Sequence, residues 1–179
     1  MMLFTIVALI CLLSFIISIL MSAKIVSDRR VLAFRLRNVV DGFMFFTRWF
    51  LPFTPQPRLE VSNIIVIPLG LTILALGFLL EALALKQLRE ILFHKPAKRR
   101  LITNGVYGIV RHPLYLGESL WPIGLSLCFK ALWALLLTPL WFIFYIITTY
   151  FEEKDLIKEF GEEYLEYRKK VKRFIPYIF

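Results

Sequence analysis

Four long apolar runs, Leu3–Ala23, Val61–Leu85, Leu114–Phe129 and Ala131–Phe151, constrain this chain more than any other feature of its sequence. About 20 apolar residues suffice to cross roughly 30 Å of hydrocarbon. Inside hydrocarbon each backbone N–H and C=O must be satisfied within its own segment, so such runs are helices. Over its 179 residues the chain is 59% hydrophobic, above the ~45–50% usual for a soluble domain. The expected fold class is an all-α, polytopic integral membrane protein.

Charge places the spans. Lys24–Arg37 carries five basic residues, Lys86–Arg111 seven and the segment after Phe151 another seven. The positive-inside rule puts all three on the cytosolic side. Two crossings are then needed between Arg37 and Lys86, which makes the weaker run Val39–Phe53 a short span, followed by an extracytoplasmic turn at Thr54–Arg58. About five transmembrane helices result, with the N-terminus outside and a cytosolic, helical C-terminal segment. In this arrangement 19 of 22 basic residues lie inside, Arg48 lies within a span, and Arg58 and Lys130 lie outside. The rival reading of Val39–Phe53 is an interfacial helix, because it holds Asp41 and Arg48 and reaches only about 22 Å at 1.5 Å per residue. An arginine near the bilayer middle costs a few kcal/mol, so Arg48 is snorkelling, paired or site-lining.

The first run has no basic residue before it and no A-x-A site after it, so a retained span is expected and not a cleaved signal. Cys11 and Cys128 lie far apart in apolar runs, which suggests neither a disulfide framework nor a metal knuckle, and no metal site is expected. The net charge of +9 gathers at span ends, where each basic residue gains on the order of 1 kcal/mol from anionic headgroups. That layout argues for a membrane surface and against nucleic acid. The eight glycines are scattered, with no G-x-G-x-x-G or Walker pattern. Any nucleotide-like ligand must therefore bind among loops and helix ends.

Polar residues gather at both ends of the Leu114–Phe151 hairpin. Arg111 and His112 precede Pro113, which suits the first turn of a helix. A helix N-terminus favours anions through its free N–H groups and its dipole. Asn104–Gly105, just upstream, is a turn signal of a kind that tolerates close approach of a ligand to backbone. At the far end stand Glu152 and Glu153. A helix over Lys154–Lys172, with Phe160, Tyr164 and Tyr167 among its apolar positions, is expected to lie along the interface as a lid. Alone, Arg111–His112 reads as headgroup contact or capping, and Glu152–Glu153 as a solvated helix continuation. Folding the hairpin brings the two ends to one face of the bilayer, where an anion site opposes an acidic pair. Residues 1–100 hold the N-terminal helices and basic loops, and residues 101–179 the hairpin and C-terminal segment, within a single membrane domain.

The string T-x-G-x-Y-x-x-x-R-H-P-x-Y-x-G (Thr103, Gly105, Tyr107, Arg111, His112, Pro113, Tyr115, Gly117) is followed by the hairpin and Glu152–Glu153. Then comes F-G-x-E-Y-x-x-Y-x-x-x-V (Phe160, Gly161, Glu163, Tyr164, Tyr167, Val171), ending in R-F-I-P from Arg173 to Pro176. This order resembles the isoprenylcysteine carboxyl methyltransferase and phospholipid methyltransferase superfamily, over about Leu101 to Pro176. The resemblance implies S-adenosylmethionine as methyl donor, an all-helical membrane fold and a cytosolic cofactor pocket made by the hairpin ends and the C-terminal segment. It further implies that His112 and the backbone beside it, Arg111 to Pro113, hold the methionine part, with Tyr115 shaping the pocket. Glu152 and Glu153 would meet the amino, ribose or sulfonium side. Gly105 and Tyr107 would pack around the adenosine, and Tyr164 with its segment would close over it. Ile146-Ile147-Thr148-Thr149 is uncharged where the eukaryotic isoprenylcysteine enzymes carry an arginine, so the acceptor stays open between a prenylcysteine-like carboxylate and a phospholipid amine.

A sulfonium methyl is already activated, so methyl transfer asks mainly for in-line positioning and exclusion of water. A carboxylate acceptor needs no base, whereas an amine does, and Glu152, Glu153 or His112 could take its proton. The candidate catalytic groups are Glu152, Glu153 and Arg48. A lipophilic acceptor would enter sideways between spans, where Arg48, Asp41, Glu81 and Glu118 are candidate polar contacts. An NADPH-dependent membrane reductase of the sterol-reductase type and a non-catalytic membrane scaffold are the rival readings. Beyond the bilayer and the lipid acceptor, no nucleic acid and no obligate protein partner are expected.

Overall fold

The computed structural model describes residues 2–28, 40, 42, 44–94 and 100–176, without the side chains of 21–28 and 90–94. Asp41 and the basic stretches 29–37 and 95–99 lie outside the described residues. The helices are α1 Met2–Asp28, α2 44–50, α3 Asn63–His94, α4 Pro113–Cys128, α5 Leu132–Leu136, α6 Thr138–Phe160 and α7 Glu162–Lys170. Among the described residues the only β pairing is two isolated bridges, Arg58 with Ala131 and Val110 with Lys172. Among the described residues three stretches, Met2–Leu20, Asn63–Arg89 and Leu132–Phe160, are long and apolar enough to cross a membrane. The fold is thus helical and membrane-spanning in character, as its apolar runs require.

Four of the glycines that look scattered in sequence are gathered in space. Gly70 and Gly77 on α3 face Gly124 and Gly117 on α4, so the two helices run antiparallel with their backbones in contact. A Cβ on Gly117 would stand 2.7 Å from the Gly77 carbonyl oxygen, and one on Gly124 would stand 2.5 Å from the Leu74 amide nitrogen. Within each helix the two glycines are seven residues apart, close to two turns, which puts both on one face. In hydrocarbon no water is released when helices meet, so association depends on close packing, and small residues permit it. The sequence signal was this shared spacing.

Against the α3–α4 pair, α6 carries the other side of the bundle. Helix α1 buries Ala8, Cys11, Phe15 and Ser18, a stripe at i, i+3, i+7 and i+10. Phe15 packs on Trp141 and Phe144 of α6 at ring distances of 5.9 and 4.5 Å. The opposite face of α1, with Leu3, Leu9, Leu13 and Leu20, is exposed, as a lipid-facing surface should be. Helix α2 buries Met44, Arg48 and, one turn on, Leu51. Its Trp49 stacks on Trp121 of α4 at 4.5 Å and on Phe78 of α3 at 5.7 Å, so this weakest apolar run packs against its neighbours through its aromatic side chains.

The two ends of the bundle differ. At one end the turn after α2 is stitched to the α4–α5 turn: Leu59 N donates to Lys130 O at 2.7 Å and Leu132 N to Pro57 O at 3.1 Å. Arg58 Nη1 donates to the carbonyls of Pro52 and Phe129, each at 2.9 Å. At the other end the chain beyond α7 returns to the start of α4, where Arg111 N donates to Lys172 O at 2.7 Å and His112 N to Arg173 O at 3.2 Å. One expected boundary is corrected here. Helix α6 runs unbroken through Glu152 and Glu153 to Phe160, so the helix expected over Lys154–Lys172 is the last turns of α6 plus a separate α7. The break falls at Gly161, whose φ of 57° and ψ of −127° suit glycine because it lacks a Cβ.

Candidate active site

Pro113 opens α4, where its missing N–H would have had no helical partner. It is buried behind the site and does not line it. His112 takes the N-cap position without capping α4 through its side chain. The imidazole instead turns toward the end of α6, with Nε2 3.2 Å from Glu153 Oε1 and Nδ1 3.7 Å from Glu152 Oε2. The hairpin therefore does bring His112 and the acidic pair together.

The two glutamates, alike in sequence, part company in the structure. Glu153 is 2% exposed. Its Oε1 accepts from Arg111 Nη2 at 2.9 Å, Arg111 Nε at 3.1 Å and Arg173 Nε at 3.1 Å. Its Oε2 accepts from Arg173 Nη2 at 2.9 Å, with Arg168 Nε at 3.8 Å. Arg111 is committed further, since its Nη1 donates to the carbonyls of Val171 and, at 3.2 Å, Arg168. A buried charge is tolerated only with partners of this kind. Glu153 and Arg111 thus fasten α4, α6, α7 and the tail to one another. Glu152 lies about 100° further round the helix, is 45% exposed at its side chain, and lines a pocket.

That pocket has a volume of about 290 Å³. Its floor is the first turn of α4, with Arg111, His112, Leu114 and Tyr115, and its walls come from residues 100–102, Tyr107, the end of α6 and helix α7. Basic groups (Arg100, Arg111, His112) and acidic groups (Glu152, Glu159) both reach it. Tyr167 braces it by donating to the Tyr107 carbonyl at 2.6 Å. Burial pushes the phenols of Tyr107, Tyr164 and Tyr167 well above the usual tyrosine range, with the nearby carboxylates Glu152 for Tyr107 and Glu153 for Tyr164 adding to it. All three remain neutral O–H donors. The Tyr164 hydroxyl, on a residue 1% exposed, has no hydrogen-bond partner.

Gly105 and Arg48 fall elsewhere. Gly105, with φ of 56°, lines an adjoining groove with Lys86, Gln87 and Asn104, and a Cβ there would meet Gln87 Nε2 at 1.8 Å. Arg48 lines a second cavity, of about 340 Å³, between α2, α4 and α6. Leu114 and Tyr115 belong to the walls of both cavities. Arg173, which sequence reasoning passed over as part of a closing motif, completes the ion cluster; nothing in its local sequence marks a partner 20 residues away.

The phospholipid methyltransferase family matches residues 65–163 of the chain, more than half of its 179 residues. The chain belongs to this family. The matched stretch begins in α3, takes in the glycine-packed pair and the hairpin, and ends in α7; α1, α2 with Arg48, and the tail with Arg173 lie outside it. This family member is 38% identical over 117 residues to the protein-S-isoprenylcysteine O-methyltransferase of Schizosaccharomyces pombe, covering 61% of the chain and 49% of that relative. It is 40% identical over 86 residues to the enzyme of the same name from Homo sapiens, covering 44% of the chain and 28% of the relative. For that of Saccharomyces cerevisiae the figures are 39% over 92 residues, 47% and 36%. The chain thus matches about half or less of the length of these curated relatives. No solved structure matches it.

Proposed function

We propose that this protein transfers a methyl group from S-adenosylmethionine to a lipophilic acceptor at the membrane surface. The observation that carries the reading is the pocket at the α4 N-terminus, in which groups of both signs surround a buried, unpartnered Tyr164 hydroxyl. An unpaired buried donor costs free energy, and a ligand with oxygen or nitrogen acceptors removes that cost. Family membership and similarity to proteins named protein-S-isoprenylcysteine O-methyltransferase support the same donor and reaction.

The cofactor would supply a methyl group on a sulfonium, already activated for attack. In the proposed roles His112 and Arg100 meet its carboxylate. Glu152, with its exposed carboxylate, meets the positive groups, and Tyr107 and Tyr115 pack on its flat and apolar parts. Tyr164 donates from α7, and that helix excludes water. Glu153 and Arg111 act behind this surface by holding its parts in register, so of the acidic pair Glu152 is the residue proposed to touch ligand. An amine acceptor would need to lose a proton, for which Glu152 and His112 are the adjacent pair.

The proposed topology has five spans, with the N-terminus outside and the pocket and C-terminus on the cytosolic side. The stitched turns carrying Arg58 and Lys130 would then face away from the cytosol. Residues 1–100 and 101–179 are proposed to form one membrane domain, since α3 and α4, on either side of that division, pack backbone to backbone. The deciding test is calorimetry on detergent-purified protein with S-adenosylhomocysteine and with NADPH. Binding of the first alone is expected; binding of NADPH alone, or of neither, ends the methyltransferase reading.

A further inference from the structure

The groove beside the cofactor pocket has no part in the proposed reaction. It has a volume of about 860 Å³ and lies between α3 and the segment 100–109. Gln87 fastens these two walls, because its Nε2 donates to the Asn104 carbonyl at 3.3 Å. The other amide atom, Oε1, is buried with no hydrogen-bond partner among the described residues. Two cations, Lys86 and Arg100, reach the groove, and among the described residues that line it none is acidic. The Arg48 cavity differs. There Arg48 Nη1 donates to the Tyr145 hydroxyl and Glu118 stands in the lining, so the charge is answered within the protein and the cavity selects neither sign.

The approach to the groove is apolar. Leu76, Leu79 and Leu83 are exposed and stand with Lys86 at i, i+3, i+7 and i+10, on one face of α3. They belong to the stretch Asn63–Arg89, which is long and apolar enough to cross a membrane. Lys86, one turn before the end of that stretch, stands where hydrocarbon gives way to head groups, with a stripe of leucines leading up to it. Across the groove Ile109 is 59% exposed. A soluble anion would use the cations and leave the stripe idle. A lipid uses both, its chains along the leucines and its phosphate at Lys86.

We propose that this groove seats one anionic phospholipid, with its phosphate at Lys86 and a head-group hydroxyl donating to Gln87 Oε1. The sign follows from the lining. Arg100 adds positive potential from the wall that the groove shares with the cofactor pocket, and the ammonium of a choline head would find no counter-charge here, only like charges that repel it. The hydroxyl follows from Gln87, since a buried acceptor left unpaired costs free energy and a head group with an O–H donor removes that cost. The lipid so held does not react.

The test is native mass spectrometry on the full chain, purified in detergent and offered equal amounts of phosphatidylglycerol and phosphatidylcholine. The wild type is expected to retain one phosphatidylglycerol, with a preference of about ten-fold over phosphatidylcholine. Lys86→Gln should lose most of that preference, whereas Lys170→Gln, the same change of charge on α7 and outside the groove, should keep it. An excess of sn-glycerol 3-phosphate, which carries the phosphate without the chains, should not displace the lipid. Equal retention of the two lipids by the wild type overturns the proposal even if Lys86→Gln fails to fold. An unchanged preference in Lys86→Gln overturns it too, as does an equal loss in both lysine variants, which would mark diffuse surface charge. Displacement by glycerol phosphate would make the groove a site for a soluble anion and likewise end the lipid assignment. None of these outcomes depends on S-adenosylmethionine, so the methyltransferase reading stands or falls separately.

Discussion

Arg173 grips Glu153 with two parallel hydrogen bonds, Nε to Oε1 at 3.1 Å and Nη2 to Oε2 at 2.9 Å, and so ties the chain beyond α7 to the end of α6. Glu153 is buried and Arg173 partly so, which makes the loss of either partner asymmetric. Removing one partner leaves the other charge uncompensated away from water, at a cost of about 3–5 kcal/mol.

Glu153→Gln is therefore expected to lower the thermal midpoint strongly, because Arg111 and Arg173 both lose their counter-charge. Glu152→Gln, at a half-exposed carboxylate, should leave the midpoint nearly unchanged and instead weaken S-adenosylhomocysteine binding about ten- to a hundred-fold, the worth of one charge-assisted hydrogen bond. Melting curves and calorimetry on the same purified variants separate the two. Equal behaviour of the two glutamates would mean the structure has sorted them wrongly.

Gly124→Ala offers a second measurement. Its new methyl would stand 2.5 Å from the Leu74 amide and 2.6 Å from the Gly70 carbonyl, both rigid helix backbone. The helices must part, and overpacking of this kind costs about 1–3 kcal/mol. Gly161→Ala meets no atom within 4 Å but must hold a φ of 57° with a ψ of −127°, a backbone region that favours glycine, at about 1–3 kcal/mol. A lowered thermal midpoint is expected for both variants, and an unchanged midpoint for Gly124→Ala would argue against backbone contact between α3 and α4.

Topology is open to cysteine labelling in a background with Cys11 and Cys128 replaced by alanine. Gln56 makes a poor reporter, since its side chain donates to Leu51 O at 2.7 Å and accepts from Ala134 N at 2.9 Å. Glu60 and Lys170 are exposed and stand at the two ends of the bundle. A cysteine at position 60 should react with an impermeant reagent outside intact cells and one at 170 should not. Labelling of both from the same side sinks the five-span arrangement.

The apolar runs and the convergence of His112 with the acidic pair were legible in the sequence, because each follows from one-dimensional patterns: window hydropathy and hairpin closure. The division of labour between Glu152 and Glu153 was not, since it depends on the 100° step between adjacent helical residues and on an arginine 20 positions downstream. Gly161 was quoted within a motif yet not read as a helix break, because in sequence it sits inside an otherwise continuous amphipathic stretch. Arg48 shows the same limit: a lone charge in an apolar run announces that it must be partnered or functional, but Tyr145 lies 97 residues away.

Tyr164 gives the sharpest separation of ligand binding from folding. Its hydroxyl is buried without a partner, so Tyr164→Phe removes an unsatisfied donor, and the unliganded protein should melt at the same temperature or slightly higher near neutral pH. Tyr167→Phe, which breaks the bond to the Tyr107 carbonyl, should cost about 1 kcal/mol. With S-adenosylhomocysteine the order reverses, because only Tyr164→Phe loses a donor to the ligand and its ligand-induced rise in melting temperature should shrink. Alkaline pH supplies a second check. Folding raises these phenols above their unfolded value near 10, so their contribution is complete below about pH 10. It is lost as pH climbs toward the folded values, because the unfolded chain then sheds protons the folded one keeps. Tyr164→Phe should flatten part of that alkaline decline. A variant that melts lower at pH 7 and binds the ligand as tightly as wild type would make Tyr164 a packing residue and remove it from the proposed site.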